Sequence, residues 1–204
     1  MTKVKICGLT NEEDIMYANE LKPDYVGFVF TKSSRQIDKY RAKELLAGLD
    51  NNIKKVGVFL NTPANEVYEI TKYCDLDILQ FHGNEQPVYC NLFEHEVWKT
   101  FRIKDINSLK ELERYHREGV LLDTFMQGQY GGTGKTFDWD IVRNISKSRW
   151  VILAGGLTIE NVKQAIETVQ PMVVDVSSGV EVDGVKDFKK MRKFIENVRD
   201  AYAR

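Results

Sequence analysis

The feature that most constrains this chain is a series of eight short apolar runs separated by segments with helical spacing. The runs are VKICG from Val4, YVGFVF from Tyr25, KKVGVFL from Lys54, DILQFHG from Asp77, VWKTFRI from Val97, GVLLDT from Gly119, WVILAGG from Trp150 and MVVDVSSG from Met172. Several are apolar at consecutive positions, the pattern of parallel strands covered on both faces. After the seventh run Ile159, Val162, Ile166 and Val169 step by three and four. After the eighth, Phe188, Met191, Ile195, Val198 and Tyr202 do the same, with Lys, Arg and Glu opposite, so each set predicts a helix packed on the sheet. Thr10 with Glu13 predicts a capping box, and Thr62 before Pro63 predicts an N-cap with proline at the first helical position. A repeat of roughly 20 to 30 residues is one βα unit with short loops. Eight units predict a single (β/α)8 TIM barrel, one α/β domain over residues 1–204. The main competitor, an open doubly wound sheet, usually has fewer strands and a G-x-G-x-x-G turn after the first, whereas the first run here ends in Cys7-Gly8-Leu9.

Composition narrows the partners. The 204 residues carry 29 Lys plus Arg against 30 Asp plus Glu, so no net field draws the molecule to nucleic acid or to an anionic membrane, and any anion site has to be local. Cys7, Cys74 and Cys90 are odd in number and lack metal-ligand spacing, which predicts neither a disulfide framework nor a metal site. The opening MTKVKICGLTNEED lacks the apolar run of a signal peptide, and no segment approaches the ~20 apolar residues of a membrane span. A cytoplasmic protein is expected.

The stretch GQYGGTGKT from Gly128 looks like a nucleotide-binding loop, but a P-loop needs glycine five residues before the one preceding the lysine, and that position is Gln129. The loop instead follows the sixth strand and reads as a lid over a bound substrate. Lys135 either touches a phosphate there or is a solvated loop lysine.

In such a barrel the reactive residues come from the C-terminal strand ends and the loops after them. In chain order these ends offer Cys7, Arg35, Asn61, Gln80 with His82, Arg102, Asp123, Gly155 with Gly156, and Ser177, Ser178 and Gly179. The glycine-rich ends of strands seven and eight predict a phosphate site, because glycine lets backbone N–H groups approach an anion. Strands one and six are not neighbours, so Cys7 and Asp123 could face each other across the mouth with a small sugar between them. A cysteine there is either a base needing local help or an inert buried thiol, since its free pKa of about 8.5 leaves little thiolate at neutral pH. Asp123 leaves an apolar strand, where burial favours the protonated form that a general acid needs.

Taken together, KICGLT at the start, SSR ending at Arg35, LQFHGNE from Leu79, LLDT from Leu121, YGGTGKTFDW from Tyr130, LAGGLTIENV from Leu153, VDVSSGVE from Val174 and GVKD from Gly184 resemble the phosphoribosylanthranilate isomerase family nearly end to end. The resemblance implies an isomerase of tryptophan biosynthesis that needs no cofactor and carries out an Amadori rearrangement on a small-molecule phosphosugar, as a monomer or homodimer. It implies Cys7 as general base and Asp123 as general acid. Arg35 would hold the anthranilate carboxylate, although Ser34 stands where the family commonly has proline. Gln80 and His82 match the family's strand-four motif as substrate-binding residues. Gly155, Gly156, Ser178 and Gly179, with Gly132, Thr133 and Gly134 of the strand-six loop, would hold the phosphate. Two rivals are a histidine-pathway aminosugar-phosphate isomerase, which uses an aspartate where Cys7 stands, and a phosphate-binding barrel that has lost catalysis.

Overall fold

The computed structural model describes residues 1–124 and 136–201. Eight parallel strands, β1 (Lys3–Cys7), β2 (Tyr25–Val29), β3 (Lys54–Phe59), β4 (Ile78–Phe81), β5 (Glu96–Ile103), β6 (Gly119–Thr124), β7 (Val151–Leu153) and β8 (Val173–Val176), close into a barrel in chain order. Closure is made by β1 on β8, where Lys5 pairs in register with Asp175. Each strand coincides with one of the eight apolar runs.

The consecutive apolar positions serve two separate cores. Residues such as Val4, Ile6, Val26, Phe28, Leu79, Phe81, Val120, Leu122, Val174 and Val176 point outward into a layer shared with the helices. Alternate positions, among them Tyr25, Val56, Ile78, Trp98, Leu121, Ile152 and Val173, fill the barrel interior. Both faces are dry, so alternation disappears from the sequence.

The outer layer holds α1 (Glu12–Leu21), α2 (Lys39–Leu46), α3 (Ala64–Cys74), α4 (Pro87–Cys90), α5 (Val162–Val169) and α6 (Phe188–Asp200). On α6, Met191, Ile195 and Val198 are buried as their spacing predicts, and Phe188 is half-buried against Tyr17; Tyr202 lies outside the described residues. On α5, Val162, Ile166 and Val169 are buried. Not every crossover is an α-helix, however. Ile106–Arg114 after β5, and Trp139–Val142 and Ile145–Lys147 after β6, are 3-10 segments. A 3-10 turn rises about 2 Å per residue against 1.5 Å for an α-helix, so fewer residues return the chain to the start of the next strand.

Two expected caps move by one residue. The cap of α1 is Asn11, whose side chain accepts from Asp14 N–H at 2.9 Å, while Asp14 reaches back to accept from Thr10 N–H at 2.8 Å. Asn is at least as good a cap as Thr, and this register also buries Asp14. Helical geometry after Thr62 begins only at Ala64, with Pro63 extended at the cap, and the Thr62 carbonyl is taken by the Tyr89 hydroxyl at 2.6 Å.

Beyond β8 lies an unforeseen hairpin, β9 (Glu181–Val182) and β10 (Val185–Lys186), turned by Asp183 and Gly184, both at positive φ. A two-residue Asp-Gly turn with both φ positive is a strong hairpin signal, and that dipeptide was legible between Val182 and Val185. None of the described helices is long and apolar enough to cross a membrane.

Candidate active site

Cys7, Gln80, His82 and Asp123, from β1, β4 and β6, line one cavity of about 580 Å³ at the C-terminal mouth of the barrel. Arg35 from the loop after β2, Gly155 and Gly156 after β7, and Ser177 and Ser178 after β8 line the same cavity. Its volume suits a ligand of a few rings.

Asp123 is 4 % exposed. Its Oδ1 accepts from the Thr124 N–H at 2.7 Å, and its Oδ2 lies 3.2 Å from His82 Nε2. The other ring nitrogen, Nδ1, sits 3.3 Å from the Gln80 amide nitrogen and 3.2 Å from the Thr100 hydroxyl. The Gln80 amide nitrogen can only donate, so Nδ1 accepts from it and Nε2 is the nitrogen on the Asp123 side. Gln80 and Thr100 thus fix the ring that stands beside the carboxyl group.

Gly155 makes this packing feasible. It adopts φ +82°, and a Cβ there would fall 2.4 Å from Thr124 Oγ1 and 2.6 Å from Asp123 Oδ1. Only glycine fits both the conformation and the space. Gly156 follows at φ +68°, which turns the loop around the cavity wall. Gly179 is placed differently: a Cβ there would meet the Leu157 carbonyl at 1.9 Å, so this glycine seats the β8 loop on the β7 loop and does not line the cavity.

On the other side of the mouth, Gly8 at φ +85° carries the stem of Arg35, whose Cδ would be 2.4 Å from a Cβ at that position. The Arg35 guanidinium forms a fork with Glu181, Nε to Oε1 at 2.7 Å and Nη2 to Oε2 at 2.6 Å. Lys186 donates to the same Oε1 at 2.5 Å. Burial pushes the Glu181 carboxyl up, but Arg35 and Lys186 outweigh it and hold the group below the ordinary glutamate range. Arg35 thus reaches the cavity through a bond to a residue 146 positions away.

Cys7 sits above a buried ion pair, Lys5 Nζ to Asp175 Oδ2 at 2.9 Å. Desolvation pushes the Cys7 thiol up; the Lys5 and Lys186 ammonium groups pull it down, and Asp175 opposes them. Asp175 lines the cavity.

Other candidate strand ends serve structure. Asn61 joins loops, its N–H donating to Glu85 Oε1 at 2.7 Å and its Oδ1 accepting from Asn84 N–H at 2.7 Å. Arg102 Nη2 donates to the His82 carbonyl at 2.9 Å, bracing the strand that bears the imidazole. Gly132, Thr133, Gly134 and Lys135, with the lid stretch before them, lie outside the described residues. Lys5, Gly27, Asp175, Glu181 and Lys186 were not foreseen. For Lys5 the signal was present: it is two residues before Cys7 on a strand, hence on the same inward face. Among the described residues no group of three or more His, Cys, Asp or Glu could hold a metal ion.

Residues 4–197 match the family model described as N-(5'phosphoribosyl)anthranilate (PRA) isomerase. An N-(5'-phosphoribosyl)anthranilate isomerase from Thermoanaerobacter sp. (strain X514) is 52% identical over 200 residues, covering 98% of each chain. Among solved structures, the phosphoribosyl anthranilate isomerase of Thermotoga maritima superposes with a TM-score of 0.91 at 37% identity, over 98% of this chain and 99% of that one. A phosphoribosyl anthranilate isomerase in complex with reduced 1-(o-carboxyphenylamino)-1-deoxyribulose 5-phosphate gives 0.88 at 35% identity, over 98% and 99%.

Proposed function

The chain belongs to the N-(5'-phosphoribosyl)anthranilate isomerase family, and from that membership we propose that its barrel mouth converts N-(5-phosphoribosyl)anthranilate to 1-(2-carboxyphenylamino)-1-deoxyribulose 5-phosphate, a step of tryptophan biosynthesis, with Asp123 as acid and Cys7 as base. The observation that carries the assignment is that one cavity is lined by both groups, from strands three positions apart around the closed ring.

The chemistry follows from where protons must go. Asp123 donates to the furanose ring oxygen; the C1–O bond breaks, and the anilino nitrogen lone pair forms an iminium at C1. The positive charge acidifies the C2 proton and lies close to the sulfur, so it favours thiolate at the moment a base is needed. Cys7 removes that proton to give an enolamine, which takes a proton at C1 as the C2 hydroxyl becomes a ketone. No atom is gained or lost.

Arg35 supplies charge-assisted hydrogen bonds to the anthranilate carboxylate, a task suited to its planar donor fork. The phosphate is held by the loops after β7 and β8 through Gly155, Gly156 and Ser178, with Gly179 seating the second loop and Gly132, Thr133 and Gly134 of the loop after β6 closing over it. Positive φ at Gly155 and Gly156 supports this reading, because it leaves backbone N–H groups open to an anion without a Cβ in the way. For Gly179 the support is indirect, through seating one loop on the other.

The test follows loss of anthranilate-adduct fluorescence with purified protein. Wild type should turn the substrate over, and Cys7→Ser and Asp123→Asn should each lose about 10²- to 10⁴-fold in kcat. Either variant retaining turnover within about tenfold of wild type rejects that residue's role.

A further inference from the structure

One buried pair of opposite charges has no part in the mechanism above. Lys5 is 0 % exposed and Asp175 is 8 % exposed, and they pair across the β1–β8 closure inside the barrel. An ion pair inside a protein rarely stabilises the fold more than apolar side chains of the same size would. Here it also displaces apolar filling from the interior, and the β1–β8 ladder is already closed by its backbone bonds. The pair therefore calls for another role.

The space around it suggests one. Gly27, the β2 residue in register with Cys7, has no side chain where an inward one would stand. A Cβ added there would fall 2.8 Å from Cys7 Sγ and 3.0 Å from Lys5 Nζ. Thiol and ammonium therefore border the same small void, and glycine keeps them exposed to each other. Other charged or titratable groups facing this region are Asp123 from β6, His82 just after β4, Arg35 from the loop after β2 and Lys186 from β10. Of the carboxylates, Asp175 is the one bonded to Lys5.

We infer that Lys5, anchored by Asp175 and admitted by Gly27, is a positioning residue that sets how much of Cys7 is thiolate. The inference rests on the reading of Cys7 as the base. Burial alone disfavours an anionic sulfur in this site; a fixed ammonium beside it offsets part of that cost, and Asp175 keeps the ammonium aimed and charged. The same interaction acts in reverse: burial works against the Lys5 charge, yet Asp175 and Cys7 together hold its pKa above the ordinary lysine value. Substrate then supplies the remaining stabilisation when its iminium forms.

The measurement is the rate of iodoacetamide alkylation of Cys7 at pH 8, with Cys7→Ser as blank, alongside the pH profile of kcat/KM. The variants are Lys5→Met and the double variant Lys5→Met/Asp175→Asn, which leaves no lone buried carboxylate and so guards against misfolding. Loss of a cation this close should raise the thiol pKa by about one to two units, giving alkylation about 10- to 100-fold slower and an acid limb of kcat/KM displaced upward by the same amount. A purely structural pair would lower the melting temperature and leave both readings in place. An unchanged alkylation rate in folded Lys5→Met overturns the inference, as does a double variant, which also loses the opposing Asp175 charge, that is slowed as much as the single one. Slower alkylation with unaltered kcat/KM upholds the Lys5–Cys7 coupling and instead rejects Cys7 as the base.

Discussion

His82 presents Nε2 to Asp123 at 3.2 Å, across the strand that lies between them. The imidazole is itself backed by Gln80 and Thr100, side chains of β4 and β5. Replacing His82 by alanine should lower kcat by about 10- to 100-fold, less than loss of the acid itself, and leave KM within about twofold. Steady-state kinetics on folded variant decide it; a change confined to KM would show that the ring contacts substrate rather than orienting Asp123.

Arg35 is tied down by Glu181, and its Nη1 makes no hydrogen bond among the described residues. Arg35→Ala should raise KM by about 10- to 100-fold, the worth of a hydrogen bond between charged groups. Arg35→Lys should not restore it, because an ammonium cannot serve Glu181 and a carboxylate in the same plane. An unchanged KM in Arg35→Ala would remove the carboxylate clamp from this residue.

The same glutamate predicts an acid-sensitive contribution to stability. Its folded pKa is held below the ordinary value, so the unfolded chain binds its proton more readily. The stabilisation is therefore present above the unfolded value of about 4.3 and lost as pH falls through the folded one. Wild type should exceed Glu181→Gln in denaturant midpoint at pH 7, and the gap should narrow below about pH 4. A gap independent of pH would contradict the charge-based account.

Two glycines of like conformation should respond unequally. Gly155 and Gly184 have φ of +82° and +83°, but a Cβ at Gly184 meets nothing within 4 Å whereas one at Gly155 meets Thr124 and Asp123. Gly184→Ala should pay the left-handed backbone cost alone, about 1 to 2 kcal/mol, or a few degrees in Tm. Gly155→Ala should lose at least about twice as much and kcat as well, since Asp123 must move. Calorimetry with parallel assays separates the two, and equal Tm losses would deny the steric part.

The remaining thiols give a simple chemical check. Burial pushes the Cys74 thiol up to about 11 and the Cys90 thiol up to about 12; burial pushes Cys7 up as well, but Cys7 alone of the three opens onto the cavity. Native protein at pH 8 should incorporate one equivalent of a thiol reagent at Cys7, as read by peptide mass analysis, and three only after denaturation. Native labelling of Cys90 would mean that the layer under α4 opens.

What could be read in one dimension is what local geometry imposes. Eight apolar runs with helical segments between them had one economical solution, and strand ends carrying Cys7, Asp123 and the Gly155-Gly156 pair marked the mouth because strand direction orders the ends. The α1 cap was misplaced by one residue because Thr10 and Asn11 are both competent caps, and only the burial of Asp14 chooses between them.

The partnerships at the mouth have a different origin. Lys5 with Asp175 joins positions 170 apart, and Arg35 with Glu181 positions 146 apart. Neither follows from spacing along the chain, because each depends on the register at which β1 meets β8 and on where the β8 loop folds over. The amino-acid sequence by itself determined a closed ring of strands and the chemical groups at its rim. The tertiary structure decided which charges stand beside those groups, because electrostatic neighbours are set by distance through space, and ring closure brings together segments that the chain keeps apart.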